Sequence, residues 1–373
     1  MKLVLAPDSF KGTLSAAEVC EIAARAFRCA DPEIDIYSLP LADGGEGMAE
    51  AWHAACGGAW THSAVSGPWG KPRDAAWLLL ADGTAVLECA SCAGLELARR
   101  SGRGLNPAQT TTRGLGELLL AARDAGAKRV LLGLGGSASN DAGTGMATAL
   151  GWQFLDDAGN VFHPTGGTLY KIKRILPPSQ PYPLPVRAAC DVINPLYGPD
   201  GAAYVYAPQK GADPAMVRLL DDGLWHINSC MAEDLSNSPG AGAAGGLGWG
   251  VLTFLGGTLM PGIDLLLEQA GFDAMLEGAD LVVTGEGRMD MQTLLGKAPM
   301  GVLRRAKAKG VPVIGLCGCL EERAEEALMA AGFAALFPAN ETPRPLEEIL
   351  PTCREDLYRA AERAAGRFPI DPQ

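Results

Sequence analysis

The stretch 280–301, DLVVTGEGRMDMQTLLGKAPMG, decides how the fold is read. Its apolar run ends at Val283 and opens into a loop carrying Gly285, Glu286, Gly287 and Asp290, and Lys297 follows where a helix is expected to start. A strand, a glycine turn and a helix in that order let backbone N–H groups approach a phosphate, with the positive end of the helix favouring negative charge. Glu286 and Asp290 would repel a bare anion. Their presence therefore suggests a divalent cation bridging carboxylates to phosphate oxygens, as Mg²⁺ does. An ordinary loop with solvated acids is the competing reading.

Downstream, strands at Val311 to Leu316 and Ala334 to Phe337 alternate with helices at Glu321 to Ala331 and Leu346 to Ala365. Two further units of this kind lie at the other end of the chain. Leu3 to Ala6 reads as a strand, and Ser15-Ala-Ala-Glu18 reads as a capping box opening a helix. Between them Asp8, Ser9 and Lys11 offer a carboxylate, a hydroxyl and an ammonium at a strand's carboxyl end, where open α/β sheets bind ligands. The strand Ile34 to Leu39 ends in a second acidic glycine loop containing Asp43. Five strands in the order 2-1-3-4-5 make a flavodoxin-like, doubly wound parallel sheet. In that order the loops bearing Asp8 to Lys11 and Glu286 to Asp290 meet at one crevice, with Asp43 close by.

The intervening chain has another character. Short runs at Thr61 to Val65, Ala75 to Leu80 and Thr84 to Cys89, two of them joined by Asp82-Gly83, read as hairpin strands foreign to a simple doubly wound fold. The expected organisation is thus a discontinuous flavodoxin-like domain of residues 1–60 and 271–373, with an inserted mixed α/β domain of residues 61–270 capping the crevice. Within the insert, Gly135, Gly136, Ser137 and Asn140 precede a helix start and make a second candidate phosphate cradle, with helix capping by Asn140 or Asp141 as the competing reading. Asp191 ends a strand at Val186 to Cys190 and could act as a base, bind a metal or start an Asx turn. The apolar stripe from Met216 to Leu235 is assigned to packing, and the uncharged run from Gly240 to Ile263 to a buried, closely packed helix.

Several function classes are excluded by composition and context. A net charge of −12 and a pI near 4.9, with no Lys/Arg stripe, argue against a nucleic-acid partner. The glycine density of 240–263 argues against a membrane span. Gly240-x-Gly242-x-x-Gly245 matches a dinucleotide fingerprint by letters but lacks the preceding strand. The ten cysteines are scattered, Cys89-x-x-Cys92 has no answering pair, and the N-terminus reads as a strand, so a reducing cytoplasmic setting is expected.

Seven motifs occur in order: Ala6-Pro-Asp-Ser-Phe-Lys-Gly12, Ala42-Asp-Gly-Gly-Glu-Gly47, Gly133-Leu-Gly-Gly-Ser-Ala-Ser-Asn-Asp141, Asp191-Val-Ile-Asn-Pro195, Pro208-Gln-Lys-Gly211, Gly242-Ala-Ala-Gly-Gly246 and Thr284-Gly-Glu-Gly-Arg288. Together they resemble the bacterial type 1 glycerate kinases. Met291 and Ala142 stand where relatives often carry glycine, and Arg113 where an aromatic is more usual. The resemblance implies phosphorylation of D-glycerate by ATP with Mg²⁺, on the 2-hydroxyl, with 3-hydroxyl transfer or a non-kinase small-anion enzyme or binding protein as alternatives; it leaves a homo-oligomer open. On this reading Asp43, Glu286 and Asp290 are metal ligands, Lys11 and Lys297 meet phosphate oxygens, and Asp191 is the general base. With Lys11 and Asp43 counted as catalytic, the binding set comprises Asp8, Ser9, Gly135, Gly136, Ser137, Asn140, Asn194, Lys210, Thr284, Gly285, Gly287, Arg288 and Lys297.

Overall fold

The computed structural model describes residues 1–10, 12–41, 47–342 and 344–368. Lys11 and Asp43 lie outside them. The described residues within Met1–Asp43, Ala54–Cys56 and Ile263–Gln373 gather into one compact unit, and those within Gly44–His53 and Gly57–Gly262 into another.

The first unit is the doubly wound sheet. Asp35–Ser38, Lys2–Pro7, Leu281–Gly285, Val313–Leu320 and Ala335–Asn340 lie side by side, all parallel. A short strand, Arg288–Met289, pairs with Cys319 and Leu320 at the same offset at which Val282 pairs with Val313, so it continues the central strand beyond an interruption at Glu286 and Gly287. Leu3, Leu5, Leu281, Val283, Ile314 and Leu316 pack on one side against the helices Ala16–Ala30 and Cys353–Arg367. Val4 and Val282, which lie between them, and Val313, just before Ile314, are equally buried and face the other side. Burial on both faces explains why these strands read as continuous apolar runs. The expected capping box is present, with Glu18 N–H on Ser15 Oγ and Ser15 N–H on Glu18 Oε2 at 2.9 Å.

Three sequence-based boundaries shift. The helix expected from Leu346 to Ala365 is two, Leu346–Ile349 and Cys353–Arg367, because Pro351 has no backbone N–H with which to carry the first one on. Lys297 caps the helix Ala298–Ala308 and stands outside it. In the second unit the amphipathic helix stops at Ser229, where Asn228 turns to hydrogen-bond Asp234, so Met231 and Leu235 lie past its end.

That second unit carries a mixed sheet in the order Thr258–Met260, Val186–Ala189, Arg129–Gly133, Thr84–Glu88, Pro72–Leu79, Ala59–Ser66. Its last two pairings are antiparallel and the others parallel. The run expected as one buried helix from Gly240 to Ile263 splits into a helix Ala243–Leu255 and the strand Thr258–Met260, separated by Gly256 in the left-handed region. Its first turn is kinked through left-handed backbone at Ala244, Gly245 and Gly246. A Cβ on Gly245 would lie 2.2 Å from the Ser139 carbonyl oxygen, so these glycines admit close backbone approach rather than a dinucleotide. The positive φ of 52° at Ala142 is the conformation a glycine would adopt without strain.

Gly245→Ala meets both a left-handed φ and a backbone atom, whereas Gly256→Ala meets the first alone, with nothing within 4 Å of its new Cβ. Denaturant unfolding is expected to show a loss of about 1 kcal/mol for Gly256→Ala and at least about 2 kcal/mol for Gly245→Ala. Equal losses would mean that the close approach to Ser139 relaxes freely.

Candidate active site

Pairing of Pro7 with Gly285 ends the two central strands at one level, and the ladder runs one step further with Asp8 N–H on the Gly285 carbonyl at 2.8 Å. The two loops that follow therefore leave side by side. Asp8, Ser9, Glu286, Gly287, Arg288, Asp290 and Lys297 line one cavity of about 370 Å³ in the first unit. Cys319 and Asn340, from the next two strand ends, line it too, which the sequence reading missed although strand order places both there.

Glu286 is the buried centre of this crevice. Its Oε1 accepts from the Thr293 hydroxyl at 2.7 Å and its Oε2 from Lys297 Nζ at 3.1 Å. Burial raises its carboxyl above the ordinary range, partly offset by the Thr293 hydrogen bond and the Lys297 charge, and reinforced by Asp290. Lys297 Nζ also lies 3.8 Å from Asp290 Oδ1, and Arg288 lies 3.7 Å from Asp290 Oδ2. The lysine read as a phosphate contact is thus held between the two acids, because a carboxylate this buried requires a counter-charge. Thr293 was not among the expected residues, and only its position seven residues after Glu286 within the same loop hints at it.

Other expected residues hold the strands. Thr284 is fully buried and donates its hydroxyl to the Ala6 carbonyl at 2.7 Å. At Gly285 a Cβ would sit 1.6 Å from the Leu316 carbonyl oxygen, so the interruption of the central strand needs glycine there. Asp8 is buried and accepts from Ser9 N–H at 2.6 Å. No group of three or more His, Cys, Asp or Glu side chains among the described residues could by itself hold a metal ion. Two carboxylates nevertheless fit a cation that also takes phosphate oxygens and water.

The second unit has a polar centre of its own. Lys210 is buried and donates to Ser137 Oγ at 2.9 Å and to the Ser139 carbonyl at 2.7 Å. Burial pulls its ammonium down to about 8, against the opposing influence of Cys89 and Asp141. Asp141 accepts from Thr112 N–H and hydroxyl and from the Gly143 and Gly145 amides, so the capping reading describes this acid. Ser139 Oγ and both polar atoms of Asn140 are buried with no partner among the described residues. An unpaired buried amide is costly, so Asn140 marks where a polar ligand or water is wanted.

Asp191 is exposed and accepts from Gly262 N–H at 2.9 Å, while Asn194 is tied to the Asp200 carbonyl and the Tyr206 hydroxyl. Glu88, missed in the sequence, accepts from the Gly47 and Met48 amides at the start of the helix that follows the second acidic glycine loop. Burial, then the nearby Glu50, raises its carboxyl. A carboxylate thus occupies the helix N-terminus on which phosphate binding could have been expected.

Two predictions follow from these pairings. Because the folded protein holds Glu286 above its unfolded value of 4.5, its contribution is fully present below that value and is lost as pH rises through the folded pKa. Lys297→Met should therefore cost roughly 1–3 kcal/mol at pH 8, and progressively less as the pH falls toward about 4 and Glu286 takes up its proton; a loss independent of pH would refute the pairing. Lys210 has the opposite sign. Its folded value of about 8 lies below the ordinary 10.5, so the unfolded chain binds more protons in that window and stability rises with pH across it. Thermal unfolding of wild type against Lys210→Met should show this added slope between pH 8 and 10, and parallel curves would contradict it.

The sequence profile of the glycerate kinase family matches residues 3–368. Among similar proteins, the glycerate kinase of Bacillus subtilis (strain 168) is 43% identical over 99% of this chain and 98% of its own, and the glycerate 2-kinase of Escherichia coli (strain K12) is 40% identical over the same shares. The crystal structure of a protein assigned as glycerate kinase 2 from Salmonella typhimurium LT2 superposes with a TM-score of 0.84 at 39% identity, covering 98% of both chains. The chain belongs to the glycerate kinase family, phosphotransferases that use an alcohol group as acceptor.

Proposed function

We propose that this chain transfers the terminal phosphoryl group of ATP to the 2-hydroxyl of D-glycerate, giving 2-phosphoglycerate. The observation that carries the reading is the crevice in which Asp8, Ser9, Glu286, Asp290 and Lys297 share one cavity at adjacent parallel strand ends, in a chain that matches the family throughout its length. The choice of the 2-hydroxyl is supported by the name of the Escherichia coli relative.

In this reading Lys297, held between Glu286 and Asp290 at the cavity wall, would meet phosphate oxygens. Mg²⁺ bound there supplies charge neutralisation of the nucleotide phosphates, and Glu286 and Asp290 are the residues that would hold it. Gly287 and Arg288 line the same cavity and would contribute an amide and a guanidinium to the phosphates. Lys11 and Asp43 complete the set by their places after Ser9 and after the second strand. Asp191 serves as the base that takes the acceptor hydroxyl's proton, its carboxylate oriented by the Gly262 amide on Oδ1. Gly135, Gly136, Ser137 and Asn140 would hold the substrate carboxylate, with Asn140 supplying the amide that has no partner in the described chain. Lys210 acts from behind, through Ser137. All ten cysteines are thiols rather than disulfides, which suits a reducing cytoplasm.

A coupled ADP-release assay with ATP and D-glycerate, followed by phosphorus NMR of the product, tests the reaction. Turnover giving the 2-phosphate is expected. A 3-phosphate product would overturn the regiochemistry, and no ATP-dependent consumption of glycerate would overturn the reading as a whole. Asp191→Asn is expected to lower kcat by about 10²- to 10⁴-fold with little change in the KM for ATP. Glu286→Gln should lower kcat by on the order of 10²-fold and raise the Mg²⁺ concentration needed for half-maximal rate.

A further inference from the structure

The second unit holds a cavity of about 270 Å³ that the phosphotransfer reading does not use. It is built by the tight turn Gly67–Lys71, in which Gly67 N–H donates to the Lys71 carbonyl at 2.7 Å and Gly70 takes a positive φ, together with the short helix Leu95–Arg100 and the loop after it. Its charged lining is Lys71, Arg73, Arg100 and Arg103, and none of its lining residues is an Asp or Glu. In a chain with 43 acidic and 31 basic residues, four cations around one hollow run against the composition.

The nearest acids in sequence are engaged elsewhere. Glu96 pairs with Arg99, and Asp74 accepts from His62 at 2.7 Å. Arg73 donates to the Asp74 backbone carbonyl at 3.0 and 3.2 Å, which fixes the base of its guanidinium without neutralising it. Among the described residues none of the four cations forms an ion pair.

Trp69 adds a second, independent observation. Its indole N–H is shielded from solvent and has no acceptor among the described residues, while the Arg103 guanidinium lies 5.8 Å from the centre of its ring. A buried donor without an acceptor is destabilising, and one set among unneutralised cations is satisfied by an anion's oxygen. Guanidinium forks match carboxylate and phosphate oxygens in pairs. A volume near the low end of small-molecule sites, about 300 Å³ and upward, suits a small anion.

We propose that this pocket is a second, non-catalytic binding site for a small organic anion carrying two or more negative charges, of the class of phosphorylated short-chain acids. Trp69 donates to one anionic group, Arg100 and Arg103 grip the ligand from the helix side, and Lys71 and Arg73 from the turn.

Calorimetric titration of the full chain with 2-phosphoglycerate and with inorganic pyrophosphate tests this, using wild type, Arg100→Gln/Arg103→Gln and Trp69→Phe. The two arginines are exposed, so the double variant is expected to fold and to keep the wild-type thermal midpoint. Wild type should show a binding component, weakened by added salt, that is at least tenfold weaker in the double variant and several-fold weaker in Trp69→Phe, while KM for ATP and glycerate stays unchanged. Identical isotherms in all three proteins would overturn the proposal. A tenfold rise in either KM in the double variant would also overturn it, by placing these cations in the phosphotransfer site; failure of the kinase assay itself leaves the titration readable.

Discussion

The site depends on one register. Leu3 opposite Leu281 and Pro7 opposite Gly285 bring two segments nearly 280 residues apart in the chain into adjacent parallel strands that end together. Slide one strand by a residue and each of its side chains changes face, so Leu281 and Val283 would exchange their packing against Ala16–Ala30 and Cys353–Arg367 for the opposite, equally buried face. The hydrophobic pattern of the two strands therefore sets where Asp8 and Glu286 emerge. The glycine at 285 then lets the central strand break against Leu316 and resume at Arg288, which turns Glu286 into the crevice.

Much of this was legible in the sequence because it is local or topological. Apolar runs punctuated by glycine and acidic loops predict parallel strands with ligand loops at their ends, and the 2-1-3-4-5 order predicts which loops are neighbours. The Ser15/Glu18 box is local chemistry and appears as expected. What was not legible is pairing that no spacing rule encodes. Lys297 is held by Glu286 and Asp290, Lys210 by Ser137 and Ser139, and Glu88 sits on the amides of Gly47 and Met48 from 40 residues away. Helix periodicity also overran its ends. The stripe from Met216 continues in sequence to Leu235, but the Asn228–Asp234 hydrogen bond ends the helix first.

The two units hold their charges differently. In the first, buried acids are balanced by a lysine that an incoming cation could replace, an arrangement suited to exchange. In the second, a lysine is enclosed among serine and carbonyl oxygens while both polar atoms of Asn140 have no partner among the described residues. The glycines of 242–246 make that loop possible, since side chains there would strike Pro195 and Ser139. On the proposed reading one unit offers its carboxylates to a metal-bound polyphosphate, and the other offers a small polar substrate an amide that has no partner among the described residues.

The central claim is that the Asp8 and Glu286 loops together receive the nucleotide. Hydrogen exchange with mass spectrometry, comparing the free chain with the chain plus Mg²⁺ and a non-hydrolysable ATP analogue, tests it most directly. The account predicts slowed exchange in the peptides covering residues 8–10 and 286–297. Slowed exchange confined to other segments, with both of these unchanged, would contradict it.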